Sequence, residues 1–252
     1  ITTPSAPAAP QYTAVFGKAM VEEVRRDRRV VGITAAMNSG TGLNLLQDAE
    51  PEHYFDVGIA EQQALLFASG LALEGRKPVA AIYSTFLQRG FDQIVHDICL
   101  QELDVTLAMD RAGLVGDDGP THHGVFDLSY LRHIPGLVLM APSGGEELRK
   151  MLALAVSQEG PTVIRYPRGV VPTEEGESGA LERGRSWVRR EGTACALLAV
   201  GPMVGAAQEA AACLAEKGIS CAVVDARFVK PLDEELLERL ARQTGCLGTV
   251  EE

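Results

Sequence analysis

The sequence predicts an α/β protein: a parallel sheet covered by helices on both faces, followed by a second, smaller and incomplete α/β domain. Three observations carry this. Short β-branched or apolar runs alternate with longer helical ones along most of the 252 residues, the pattern of parallel strands joined by helical crossovers. A stretch dominated by Gly, Glu, Pro and Ser, residues 170–192, interrupts the alternation. Beyond it the alternation resumes for only about 60 residues, too few for an independent open sheet.

Residues 1–11 begin ITTPSAPAAP, a composition that cannot pack a core and reads as a linker. The first domain is expected over 12–169, with strands at 30–35, 78–83, 105–109, 137–140 and 162–166. Helices are expected at 60–73, 85–101 and 145–157. In the second of these, Leu87, Phe91, Ile94, Val95 and Ile98 recur at three- and four-residue spacing, one apolar face. Residues 170–192 show no apolar period and read as a second linker. The second domain, 193–252, is expected to run strand 194–200, helix 203–217, strand 220–224, helix 233–243 and strand 246–250. Asp233 precedes an apolar-periodic run and caps its helix. The linker-like start and the final strand at the last residue together predict further chain on both sides.

Composition narrows the partners. Hydrophobic residues at 46% and charged residues at 23% describe an ordinary globular protein. With 23 basic and 34 acidic residues the net charge is −11, which argues against nucleic acid or an anionic membrane. An anionic substrate would need local arginines that override this field. Cys99, Cys195, Cys213, Cys221 and Cys246 are scattered with no Cys-x-x-Cys. They read as buried thiols of a reducing, cytoplasmic compartment, not a disulfide framework or zinc site. No apolar run reaches the length of a membrane span, and no charged-then-apolar leader opens the chain.

Ligands of open parallel sheets bind beyond the carboxyl ends of the strands, and four segments expected there carry unusual residues. In FDVGIAEQQ, Glu61 opens a very apolar helix. A first-turn Glu is favoured by the helix dipole alone; the functional reading is a carboxyl group held against apolar walls for proton exchange. In YSTFLQR, Phe86 suits a core or a stacking platform, and Arg89 suits solvent. The run from Asp110 to Gly124, DRAGLVGDDGPTHHG, holds four glycines, two histidines and three carboxylates directly after a strand. Loops this long in compact domains are functional or disordered, and the apolar pattern resuming at 125–131 favours function. Adjacent histidines are a poor metal pair; one neutral imidazole as hydrogen-bond partner or proton shuttle fits better. Gly116–Gly119 lacks the Lys-Ser/Thr of a phosphate loop. In IRYPRG, Arg168 ends a buried strand. Arg111 and Arg168 are expected at the same sheet edge, where two guanidiniums suit a phosphate dianion.

The stretches FDVGIAEQQA, IYSTFLQRGFDQIVHD, DRAGLVGDDGPTHHGVFDLSYLRHIPG, VIRYPRG and ARFVKPLDEELLERLA resemble the 1-deoxy-D-xylulose-5-phosphate synthase family, thiamine-diphosphate enzymes related to transketolase. The resemblance runs from about Tyr12 to the end and covers a pyrimidine-binding domain plus part of a C-terminal domain. It implies condensation of pyruvate with D-glyceraldehyde 3-phosphate, releasing CO2 and forming 1-deoxy-D-xylulose 5-phosphate for isoprenoid, thiamine and pyridoxal biosynthesis. It assigns Glu61 to the aminopyrimidine N1′ of the cofactor, Phe86 to stacking on that ring and Ile59 to an apolar cofactor contact. Tyr83, Arg111 and Arg168 match acceptor-side residues, the arginines holding the phosphate, and Asp118 and His122 match polar groups around the reacting carbon. Gln63 stands where the family commonly has His. No Gly-Asp-Gly metal–diphosphate motif occurs in the chain, so the Mg²⁺ ligands are expected in an N-terminal diphosphate-binding domain outside this segment. The resemblance also implies a homodimer in the cytoplasm, or in a plastid if the source is a plant. The rival readings are a transketolase or pyruvate dehydrogenase β-type half-subunit, and a non-catalytic assembly subunit that kept the fold.

Overall fold

The computed structural model describes residues 9–172 and 179–252. Most of the first expected linker and part of the second lie outside the described residues. Among the described residues, eleven strands form two sheets: β1 (Val30–Thr34), β2 (Tyr54–Asp56), β3 (Lys77–Tyr83), β4 (Thr106–Asp110), β5 (Val138–Met140), β6 (Thr162–Arg165), β7 (Trp187–Arg190), β8 (Cys195–Ala199), β9 (Cys221–Asp225), β10 (Phe228–Lys230) and β11 (Leu247–Val250). The larger sheet has the order β10-β5-β6-β4-β3-β1-β2 and the smaller the order β11-β8-β9-β7. Both are parallel except at one edge each, where β10 runs antiparallel to β5 and β7 to β9. The expected α/β architecture of a helix-covered parallel sheet plus a smaller second unit is the one observed.

Burial explains the near-continuous apolar runs. Along β3, Val79 and Ala81 face one core while Ala80 and Ile82 face the other, because successive side chains point to opposite faces. The first core packs helices Tyr12–Arg26 and Gly145–Ser157 through Phe16, Met20, Leu148 and Met151. The second packs helix Glu61–Leu73 and the chain around Leu87–Ile98. With helices on both faces, the carboxyl ends of β2, β3, β4 and β6 form one open edge.

Several elements depart from expectation. Helix Tyr12–Arg26 was not foreseen as a helix, yet Val15, Phe16, Ala19, Met20, Glu23 and Val24 are buried at helical spacing. The single helix expected over 85–101 is instead a helical turn Ser84–Leu87, a 3₁₀ turn Gln88–Gly90, one turn Phe91–Gln93 and a π-helical stretch Ile94–Cys99. The break falls at Gly90, where a Cβ would lie 2.3 Å from Leu65 Cδ1, so the segment bends over the neighbouring helix. Its expected apolar face is only partly buried: Leu87, Ile94 and Ile98 are core, Phe91 and Val95 half-buried. The linker expected to reach residue 192 ends earlier, because β7 lies inside it and pairs with β9. Nor is residue 11 free: Gln11 bridges Val170, and Val171 N–H donates to Pro10 at 2.9 Å. Finally, β10 leaves the second unit to extend the first sheet.

The seam between the units is charged. Arg227, held at φ 54°, donates from Nε to Glu147 Oε1 at 2.7 Å. Asp225 is fully buried beside them; burial, then the Glu147 charge, push its carboxyl up to about 7. Asp233 caps helix Glu234–Gln243 as expected, accepting from Leu236 N–H at 3.2 Å. No described helix is long and apolar enough to cross a membrane.

Candidate functional site

Four segments meet along the open edge. After β2, Asp56 Oδ1 accepts from Ala36 and Gly58 N–H at 2.8 and 2.9 Å, which folds the turn leading into the next helix. That turn leaves Ile59 81% exposed and sets Glu61, 2% exposed, at the helix start. Gln63 is exposed on the same helix. Glu61 Oε2 accepts from Arg89 NH1 at 2.7 Å. Arg89 is exposed as expected, yet its guanidinium reaches the buried carboxylate, and it lines a cavity of about 300 Å³ with Thr85, Phe86, Gln88 and Thr121.

Three rings stand beside that cavity. Tyr83 stacks on Phe86 with centroids 5.8 Å apart, and His122 meets Phe86 edge-on at 5.2 Å. Room for Tyr83 exists because residue 40 is glycine: a Cβ there would lie 1.7 Å from the Tyr83 hydroxyl oxygen. The guanidinium of Arg111 lies 3.8 Å over the Tyr83 ring. Burial raises the Tyr83 hydroxyl above its ordinary range, and the Arg111 charge opposes it.

Arg111 is the first residue after β4 and sits at φ 61°, in the left-handed region, a costly backbone state for a non-glycine residue that surrounding contacts must enforce. Its NH1 donates to Gly40 O at 2.7 Å and its Nε to Asp118 Oδ2 at 3.0 Å. Arg168 NH1 lies 3.2 Å from Asp118 Oδ1 and donates to Val115 O at 3.2 Å. The two arginines therefore do share one edge, with the Asp118 carboxylate bridging them. Beneath lies Asp110, fully buried, hydrogen-bonded by Thr13 Oγ1 at 2.8 Å and pushed up to about 7 by burial.

The loop carrying these groups is closed at its base by reciprocal Gly113 and Gly124 backbone hydrogen bonds of 2.9 and 2.8 Å. Its histidines part company. His123 Nδ1 accepts from Val115 N–H at 3.1 Å and braces the loop, whereas His122 faces Phe86 with Thr121 Oγ1 2.9 Å from Nδ1.

Thus Tyr83, Phe86, Arg111, Asp118, His122 and Arg168 form one connected cluster; Glu61 joins its cavity through Arg89. Ile59 stands on the turn before Glu61 with no ring or ion pair tying it to the others. Sequence reasoning passed over Arg89, Ser84, Asp127 and Arg165. The first carries no local signal beyond its motif. The other three are bound to one another across 43 and 38 positions of chain, a separation no periodicity records.

A helix-covered parallel sheet carries a buried carboxylate, an aromatic pair and two guanidiniums at its carboxyl edge, the place where open α/β sheets bind ligands. Comparison gives the family: the chain belongs to the family of the transketolase pyrimidine binding domain, which it matches over residues 8–174, and it matches the transketolase C-terminal domain over 184–252. It is 55% identical to 1-deoxy-D-xylulose-5-phosphate synthase 1 of Geobacter sulfurreducens over 100% of this chain and 40% of that protein. It is also 55% identical to 1-deoxy-D-xylulose-5-phosphate synthase of Thermomicrobium roseum, over 98% of this chain and 40% of that one. The chain thus spans about 40% of the length of these curated relatives. Among solved structures, a split gene transketolase described as an inactive beta4 tetramer superposes with TM-score 0.88 at 34% identity, covering 97% of this chain and 80% of that one. A transketolase from Campylobacter jejuni shares the fold with TM-score 0.82 at 19% identity, over 99% and 44% of the two chains.

Proposed function

We propose that this chain supplies the pyrimidine half of a thiamine-diphosphate enzyme that condenses pyruvate with D-glyceraldehyde 3-phosphate, releasing CO2 and forming 1-deoxy-D-xylulose 5-phosphate. The observation that carries the proposal is the juxtaposition of a dry carboxylate, Glu61, with an aromatic platform and two guanidiniums on one sheet edge. The names of the 55%-identical relatives support the same donor and acceptor. The transketolase-family domains imply the cofactor, and the residues present suit its pyrimidine: a carboxylate nearly without solvent, an aromatic ring, Phe86, lining the cavity, and an exposed apolar side chain, Ile59, two residues before Glu61.

When bound, thiamine diphosphate supplies an electron sink for loss of CO2 from a 2-oxo acid. The chain's own groups do the rest. Glu61 would hold a proton at a nitrogen of the pyrimidine ring, an interaction strengthened by exclusion of water. Phe86 and Ile59 would orient the ring, and Tyr83 would close the acceptor side. Arg111 and Arg168 bind the phosphate of the aldehyde, a pair suited to a dianion despite the net charge of −11. To enter, that phosphate shares or displaces Asp118, which already bridges both guanidiniums. Asp118 and His122 are then free to hold or move a proton at the new alcohol. Mg²⁺ and the diphosphate are assigned to an N-terminal module outside residues 1–252, the working assembly to a homodimer, and the location to the cytoplasm. Within the chain we assign the pyrimidine-binding module to residues 12–169, and the C-terminal-like module to 193–252 with β7 added.

The likeness to a split-gene transketolase favours one second reading, a two-carbon transfer from a ketose phosphate. Product analysis separates them. Full-length protein given cofactor, Mg²⁺ and the aldehyde phosphate should form 1-deoxy-D-xylulose 5-phosphate from pyruvate. Product from a ketose phosphate and none from pyruvate would replace the proposal with transketolase chemistry.

A further inference from the structure

The side chains assigned to cofactor and substrate come from segments far apart in sequence: Tyr83 at the end of β3 with Phe86 just after it, Arg111 to His122 after β4, and Arg168 after β6. One group binds the chain just ahead of Phe86 and of Arg168 and starts the helix that follows the β4 loop. Asp127 is 1% exposed, just beyond the loop. Its Oδ2 accepts from Ser84 Oγ at 2.9 Å, in the turn that presents Phe86. Arg165, 3% exposed and three residues before Arg168, donates from Nε to both Asp127 oxygens at 3.0 and 2.9 Å. Oδ1 also accepts from Leu128 N–H at 2.6 Å, which fixes the helix that follows the loop.

Two further contacts extend this clasp. A Cβ on Gly124 would lie 2.4 Å from Ser84 Oγ, so the returning limb of the loop packs directly on the serine. Arg165 NH2 donates to Glu252 O at 2.7 Å, and Glu252 Oε1 accepts from Leu114 N–H at 3.1 Å. Glu252, two residues after β11, thereby props the outgoing limb of the loop.

We propose that Asp127 is a positioning residue, which through Ser84 and Arg165 holds the three segments in the register that brings Arg111 and Arg168 to one phosphate. Buried ion pairs with satisfied hydrogen bonds have one good geometry and resist screening, so they suit alignment more than net stability. Small displacements of binding groups cost rate and affinity steeply. The proposal rests on the phosphate-binding reading of the two arginines.

The test uses full-length protein and two variants, Asp127→Asn and the milder Ser84→Ala. For Asp127→Asn the account expects the KM for glyceraldehyde 3-phosphate to rise by about tenfold or more, while the affinity for thiamine diphosphate and the KM for pyruvate stay within about twofold. Ser84→Ala should move in the same direction by about two- to fivefold, with the protein still folded, and carries the test if the first variant fails to fold. Equal losses for cofactor, pyruvate and aldehyde, or no change in any, would overturn it. Calorimetric titration with inorganic phosphate gives the second readout, weakened in both variants if the clasp aligns the arginines and unchanged if it does not. Wild-type protein that turns over neither substrate would refute the functional reading instead, and the phosphate titration would still decide the clasp.

Discussion

Glu61 and Asp118 show how a single charge can be read two ways until its partner is known. A glutamate in the first turn of an apolar helix is unremarkable by spacing alone. What singles it out is that its side chain is 3% exposed and its partner, Arg89, is 56% exposed, so the cation can swing away while the carboxylate cannot. Glu61→Ala should lower turnover of the full-length enzyme by about 10²–10⁴-fold, read by steady-state assay; unchanged turnover would favour an assembly subunit that kept the fold. Asp118 is the reverse case, a carboxylate standing between two arginines. Asp118→Asn removes the internal counter-ion, and inorganic phosphate should bind about two- to fivefold tighter, on the order of 0.5–1 kcal/mol for a partly exposed pair. Weaker phosphate binding would mean that Asp118 organises the arginines instead of competing for them. Phe86, Arg111 and Arg168 drew notice in the sequence because each stands just after an expected strand, and Glu61 because it opens an expected helix. The Arg89 pairing did not, since an ion pair across 28 positions leaves no trace in local spacing.

At the scale of elements, the strands buried on both faces were readable within a residue or two, because a run such as VAAIY has no exposed side to disguise. The edge strands β2, β7 and β10 were missed. Each is three or four residues long, and pairing against a neighbour, not its own pattern, makes it a strand. The broken segment 84–99 was misjudged because periodicity records a face but not the close approach of Gly90 to Leu65. Caps are local and read well. Asp233 accepts from Leu236 N–H and also from Ser186 N–H at 2.9 Å, so it ties its helix to the segment leading into β7. Asp233→Ala should cost about 0.5–2 kcal/mol for the cap, seen as a lower denaturation midpoint. An unchanged midpoint would mean that the helix is held by Leu236 and Leu240 alone.

Across the described residues, two α/β units are locked by a strand and a charged seam, and the seam has a pH signature. The Asp225 carboxyl is held at about 7 by burial and by Glu147, against an unfolded value near 3.9. Between those values the folded state holds a proton that the unfolded state has lost, so this group's contribution falls as pH rises from about 4 to 7 and is flat above. Asp225→Asn keeps the acceptor for Arg227 N–H and removes the ionisation. Its melting temperature should exceed the wild type's by a margin that grows from pH 4 to 7; a constant margin or a deficit would contradict the assignment. The same lock joins the second unit to the active edge, since Glu252 touches the loop that carries Arg111 and Asp118. The most direct test of the functional account is CO2 release from pyruvate by the full-length protein, with thiamine diphosphate and Mg²⁺, measured with and without glyceraldehyde 3-phosphate. The account predicts release that rises sharply when the aldehyde phosphate is added. No release in either condition, or release indifferent to the aldehyde, would contradict it.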